Sequence, residues 1–193
     1  MTLTVGIPTQ EGLAHIVANL RERDRREIYA LRWDDEPDHL IADLVAYSGP
    51  LWRQWDWDGE PIAIVGATPR RPGVAMVGAF GTELWPKAIR AMTAYVLRDL
   101  IPTLVGADYH RAEAYAMAAN IDSRRWIEAL GGQREAWLHA YGKGREDFIL
   151  YTWRREDVHG RRGRRRGRAA AEQLYHQHRA AGSGGSGVAA RRD

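Results

Sequence analysis

The chain has 193 residues, 45% hydrophobic and 27% charged. That is the size of one globular domain with at most an appendage, and the balance excludes global disorder. Cysteine is absent, which excludes disulfides, thiolate catalysis and cysteine-ligated zinc. No apolar run approaches the roughly 18–20 residues of a membrane span, and Met1-Thr2-Leu3-Thr4-Val5 lacks the basic-then-apolar order of a signal peptide. Residues 1–153 hold 17 Lys and Arg against 21 Asp and Glu, whereas residues 154–193 hold 11 Arg against 4 acids. The pI of 9.4 therefore belongs to the C-terminal stretch. Only Lys87 and Lys143 are lysine, a bias that arginine chemistry and GC-rich coding explain equally well.

Alternation of Leu3, Val5 and Ile7 predicts a short strand ended by Pro8. Leu13, Ile16, Val17 and Leu20 predict a helix over 11–22 with Thr9 as its cap. Arg21–Glu27 reads as a charged connection, and Pro37 opens a helix with an apolar stripe of Leu40, Ile41, Leu44 and Val45. A three-strand antiparallel meander follows: 51–57, the Asp58-Gly59 turn, 62–67, a turn over 69–73, and 74–80. A long helix over 84–100 is expected to stop at Pro102. After it come a strand over 110–118, a helix over 121–130 capped by Gly131-Gly132, and strands over 134–141 and 146–153.

This order is similar to the GCN5-related N-acetyltransferase fold. The fold class expected is α+β, a mixed and mostly antiparallel sheet with helices on both faces, over residues 1–153. The local match lies at Asn120, Ser123, Trp126, Leu130 and Gly131. The resemblance implies coenzyme A with its pyrophosphate at the N-terminus of the long helix, held by free amides of a glycine-rich loop. Here that loop, residues 80–87, has one glycine after Phe80, a carboxylate at Glu83 and no N–H at Pro86. If a cofactor binds, Thr82, Lys87 and Asn120 are its candidate contacts. The resemblance also implies a general-acid Tyr seven residues after the Asn, and Ile127 stands there with no proton to give. No catalytic residue is assigned; Glu113 and Tyr115 are weak candidates, with His110 and Tyr141 behind them. Expected cofactors are none, or acetyl-CoA if the protein is active. No metal pair is expected, since His176 and His178 are two residues apart.

Trp85 to Trp153 also resembles the acetyltransferase-like internal virion proteins of short-tailed bacteriophages. That implies a structural part of the virion, present in several copies beside portal, adaptor or tail proteins, and found in the host cytoplasm during assembly. An active acetyl-CoA-dependent N-acetyltransferase is the alternative, and a DNA-associated module the second. Residues 154–193 form a basic arm, with a helix about 169–181 and a Gly/Ser linker over 182–187. Its partner-binding candidates are Arg161, Arg162, Arg164, Arg165, Arg166, Arg168, Leu174 and Tyr175. The arginine run fits a solvated tail, non-specific contact with DNA phosphates, or docking on an acidic partner. Trp52, Trp55 and Trp57 fit core packing or an exposed aromatic patch.

Overall fold

The computed structural model describes residues 1–106 and 109–158. The arm candidates Arg161, Arg162, Arg164, Arg165, Arg166, Arg168, Leu174 and Tyr175 lie outside the described residues. Seven strands form one sheet: β1 (Leu3–Gly6), β2 (Arg53–Trp57), β3 (Glu60–Arg71), β4 (Val74–Gly81), β5 (Arg111–Met117), β6 (Gln133–Leu138) and β7 (Phe148–Arg154). Their spatial order is β1-β2-β3-β4-β5-β7-β6. Every pair is antiparallel except β4 with β5.

Helices α1 (Gln10–Ala18), α2 (Glu22–Ala30) and α3 (Pro37–Tyr47) precede β2. Leu13, Ile16 and Val17 of α1 pack with Tyr29 and Leu40 onto Trp52, Ile64 and Phe80. On the other face lies a helical run that begins with a 3₁₀ turn over Trp85–Lys87. It continues through α4 (Ile89–Tyr95), one π turn over Val96–Leu100 and α5 (Ile101–Gly106). Ala88, Met92, Val96, Leu100 and Leu104 of that run are buried and pack with Ala63, Val65 and Ala112 of the sheet and with Ile127 and Leu130. Helix α6 (Ile121–Ala129) follows β5, and a last turn, α7 (Arg155–Val158), follows β7.

Several local signals act as expected. The Thr9 hydroxyl accepts from Gly12 N, which satisfies one orphan amide of α1. Asp58 and Gly59 have φ of 50° and 86°, the left-handed pair that matches the twist of a two-residue hairpin. Gly131 has φ 84° beyond α6, where a Cβ would be strained.

Four expectations are corrected. Residues 22–30 are helical rather than a connection, because Asp24, Tyr29 and Ala30 are buried, Glu27 bonds inward to Met117 N and Asn120, and Glu22, Arg23 and Arg26 face out. Pro102 does not end the central helix. In the π turn Ile101 N donates five residues back to Val96 O, and widening the helix there relieves the clash a proline ring makes in a plain α-helix. The second meander turn is tighter than 69–73: β3 runs on through a bulge to Arg71, leaving Pro72 and Gly73. The stripe on α3 buries only Leu40 fully, and Val45 is exposed. The three tryptophans of the β2 region are core residues rather than a surface patch. Trp52 and Trp55 are buried on opposite faces, and Trp57 packs beside Trp55's cluster.

Candidate functional site

Strands β4 and β5 pair only where Val74–Met76 meet Arg111–Glu113. Beyond Met76 they separate. The gap is a cleft of about 220 Å³ lined on one side by Val77, Gly78 and Ala79, on the other by Ala114 and Tyr115, and floored by Trp126 and Ile127. Thr82 N donates to Ile62 O at 2.8 Å. The alternation of an antiparallel ladder therefore turns the backbone groups of Phe80 and Gly78 toward β3, and those of Gly81, Ala79 and Val77 toward the cleft.

Helix α2 ties the two separated strands together with two carboxylates one turn apart. Asp24 Oδ2 accepts from Gly81 N at 2.9 Å, and Gly81 O accepts from Arg21 N at 3.0 Å, so the end of β4 is closed. Arg21 and Asp24 are both buried and paired at 2.7–3.0 Å. The Arg21 guanidinium lies 4.4 Å from the centre of the Trp85 ring. On β5, Glu27 Oε2 accepts from Met117 N at 3.1 Å and from Asn120 Nδ2 at 2.8 Å. Burial pushes the Glu27 carboxyl up to about 7, against the pull of those two hydrogen bonds. Burial also raises Asp24, with the Arg21 charge opposing. Neither carboxylate was a sequence candidate. The i, i+3 spacing of Arg21 and Asp24 was the available signal, hidden inside a run of charges.

The sequence candidates separate into groups. Asn120 caps α6 by accepting from Ser123 N at 3.3 Å, and its amide also meets Glu27, so both ends of its side chain are used. Ile127 does line the cleft. Thr82 is buried, its hydroxyl accepting from Leu84 N at 3.2 Å. Lys87 lies 5.2 Å from the Trp57 ring, away from the cleft. Glu113 is buried and held by Arg71 and Arg111 at 3.1 and 2.7 Å. It locks the closed end of the sheet and does not line the cleft. His110 sits at that same end, its backbone bonded to Gly73. Tyr115 and Tyr141 do come together, as parallel rings 5.7 Å apart, and burial raises the Tyr115 hydroxyl.

Past Tyr115 the cleft opens into a wider groove of about 540 Å³ between the α2–α3 loop, β3 and the β6–β7 loop. Leu31, Met76 and Tyr115 line both spaces. At the opposite end is a mouth of about 300 Å³ at the start of the central helical run, between Arg21, Trp85, Pro86 and Trp126. Arg23 and Asp122 form an ion pair there, linking α2 to α6.

Among solved structures the chain is similar to the ribosomal-protein-S18-alanine N-acetyltransferase of Escherichia coli, with a TM-score of 0.57 and 14% identity over 79% of this chain and 94% of that one. It is also similar to Ard1 of Thermoplasma volcanium (0.60, 10%, 80% and 98%). A Salmonella typhimurium protein solved with its cofactor acetyl-CoA is a third neighbour (0.58, 14%, 80% and 94%). No family model and no curated protein matches the sequence. The fold is that of the GCN5-related N-acetyltransferases: a mixed seven-stranded sheet between helices. At these identities the likeness shows the fold alone.

The fold implies acetyl-CoA, whose pyrophosphate needs converging free amides at the mouth. Gly81 N is taken by Asp24. Thr82, Leu84, Trp85, Lys87 and Ala88 all donate within the loop or to β3, Pro86 has no N–H, and the remaining residue, Glu83, brings a single amide and a carboxylate where converging amides are needed. The 3₁₀ turn consumes its own donors. The residues present do not fit the pyrophosphate.

Proposed function

We propose that this chain is a non-catalytic binding protein built on the acetyltransferase fold. The observation that carries this is the internal use of the cofactor's handles: the Asp24 carboxylate on Gly81 N, the Trp85, Lys87 and Ala88 amides spent on the 3₁₀ turn, and the Asn120 side chain held by Glu27. Ile127 in place of an acidic hydroxyl supports the same conclusion. A role as a virion component rests on the resemblance of Trp85–Trp153 to internal virion proteins. In that setting other virion proteins are the partners, and the arginine-rich arm, outside the described residues, is the anchor.

A second function, acetyl-CoA-dependent N-acetylation, draws on the neighbours' fold and on the open middle of the cleft. There Glu27, near 7, is the titratable group available for proton transfer. Calorimetry at millimolar acetyl-CoA separates the two. No binding heat is expected. Affinity in the micromolar range, lost in Asn120→Ala, overturns the non-catalytic proposal.

A further inference from the structure

The groove beyond Tyr115 has a chemical bias opposite to what an amine substrate requires. Arg32, Arg70 and Lys143 line it, and none of its lining residues is acidic. Arg32 and Lys143 are paired at 2.8 and 2.5 Å with Asp43 and Asp35, which stand outside the lining. Arg70 is exposed and has no ion-pair partner among the described residues. A protonated amine entering the cleft by this route meets like charge, although residues 1–153 as a whole carry an excess of acids.

The same groove displays apolar surface that folding leaves uncovered. Trp33 on the α2–α3 loop is fully exposed, Tyr141 is 46% exposed and Leu31 43%. Tyr115 and Tyr141 already stack on each other, so one ring face of each is spent. That leaves little of the paired open faces that successive bases need, whereas an indole and a phenol beside a guanidinium match the anchors of protein interfaces. The inner end continues into the apolar cleft, where the backbone groups of Val77 and Ala79 stand open to an extended chain.

We infer that this groove is the docking site for an acidic segment of a partner protein carrying apolar side chains, with Arg70 meeting a carboxylate and Trp33 covering an apolar anchor. The inference rests on the non-catalytic proposal and supplies its partner chemistry. Complementary charge sets the partner's sign, and the exposed rings supply the affinity.

The test is fluorescence anisotropy on the full chain with a labelled peptide alternating glutamate with leucine and tyrosine. A lysine version of the peptide and an oligothymidine serve as probes of the other chemistries. Saturable binding of the acidic peptide is expected, weakened about tenfold or more in Trp33→Ala and in Arg70→Glu. Both side chains are exposed, so thermal melts of these variants should match wild type. A variant with Arg161, Arg162, Arg164, Arg165, Arg166 and Arg168 changed to Ser should retain the groove-dependent part. Unchanged affinity in Trp33→Ala and Arg70→Glu overturns the inference, as does tighter binding of the lysine peptide, or of oligothymidine through the same two residues. Acetyl-CoA binding by calorimetry overturns the non-catalytic proposal instead, so the two failures are distinguishable.

Discussion

The two ends of the gap between β4 and β5 differ in how their polar groups are spent. At the mouth, Arg21, Asp24 and Gly81 are buried and satisfy one another, and the following turn bonds to itself. At the groove, Trp33 and Arg70 lie in solvent without a described partner. In an enzyme that binds an anionic cofactor at the first end and a cationic acceptor at the second, both ends would be the reverse. The difference teaches that polar groups at one end of a cleft can be spent on one another while those at the other end stay free to meet a partner.

The sharpest way to break the pairing at the mouth is Asp24→Ala. It leaves the Arg21 guanidinium buried without its partner and Gly81 N without an acceptor, at a cost of about 3–5 kcal/mol. Urea unfolding should show it; a loss under 1 kcal/mol would mean that the pair is solvated and the mouth open.

Glu27 gives a smaller effect with a definite sign. Its carboxyl is raised from the ordinary 4.5 to about 7 in the folded protein, so the folded state holds a proton that the unfolded state has released. The stability this provides is present below pH 4.5 and is lost as pH rises through 7, by about 3 kcal/mol. Asp24, also raised, acts in the same direction. Arg21 acts on both carboxyls in the opposite sense, and the Asn120 amide holds the Glu27 carboxylate by a hydrogen bond. Glu27→Gln should therefore be more stable than wild type at pH 8 and equal to it near pH 4. Parallel curves across that range would place Glu27 in water.

The smallest effect distinguishes the mouth from its neighbourhood. Lys87→Ala removes an exposed cation from the Trp57 ring and should cost about 0.5 kcal/mol while leaving the response to acetyl-CoA unchanged. A changed response would return Lys87 to the mouth.

Much of the frame was legible because its signals are local. The Asp58-Gly59 turn, the Thr9 cap and Gly131 are each decided by a few adjacent residues, and the order of elements followed from them. Helix α2 was hidden because its inward face carries Asp24 and Glu27, and buried carboxylates look like surface residues in a sequence. The run through Pro102 needed an extra residue of helical slack that no composition announces. The candidate site was the least legible part. Asn120 and Ile127 came from a motif, but the partner that decides the meaning of Asn120, Glu27, lies on α2, 93 positions earlier in the chain.

The closed end of the sheet has a mechanical consequence. Strands β4 and β5 touch over three residue pairs and then diverge, like the legs of a pair of compasses. Glu113 sits at the pivot, gripped by Arg71 of β3 and Arg111 of β5, and Arg111 in turn holds Glu135 of β6 at 2.6 Å. Each leg extends four or five residues past the pivot, about 15 Å. A turn of about 5° at the pivot therefore displaces the tips by about 1 Å, enough to break a hydrogen bond such as Asp24 to Gly81. The spacing at the far tips is thus set by side chains that never reach them.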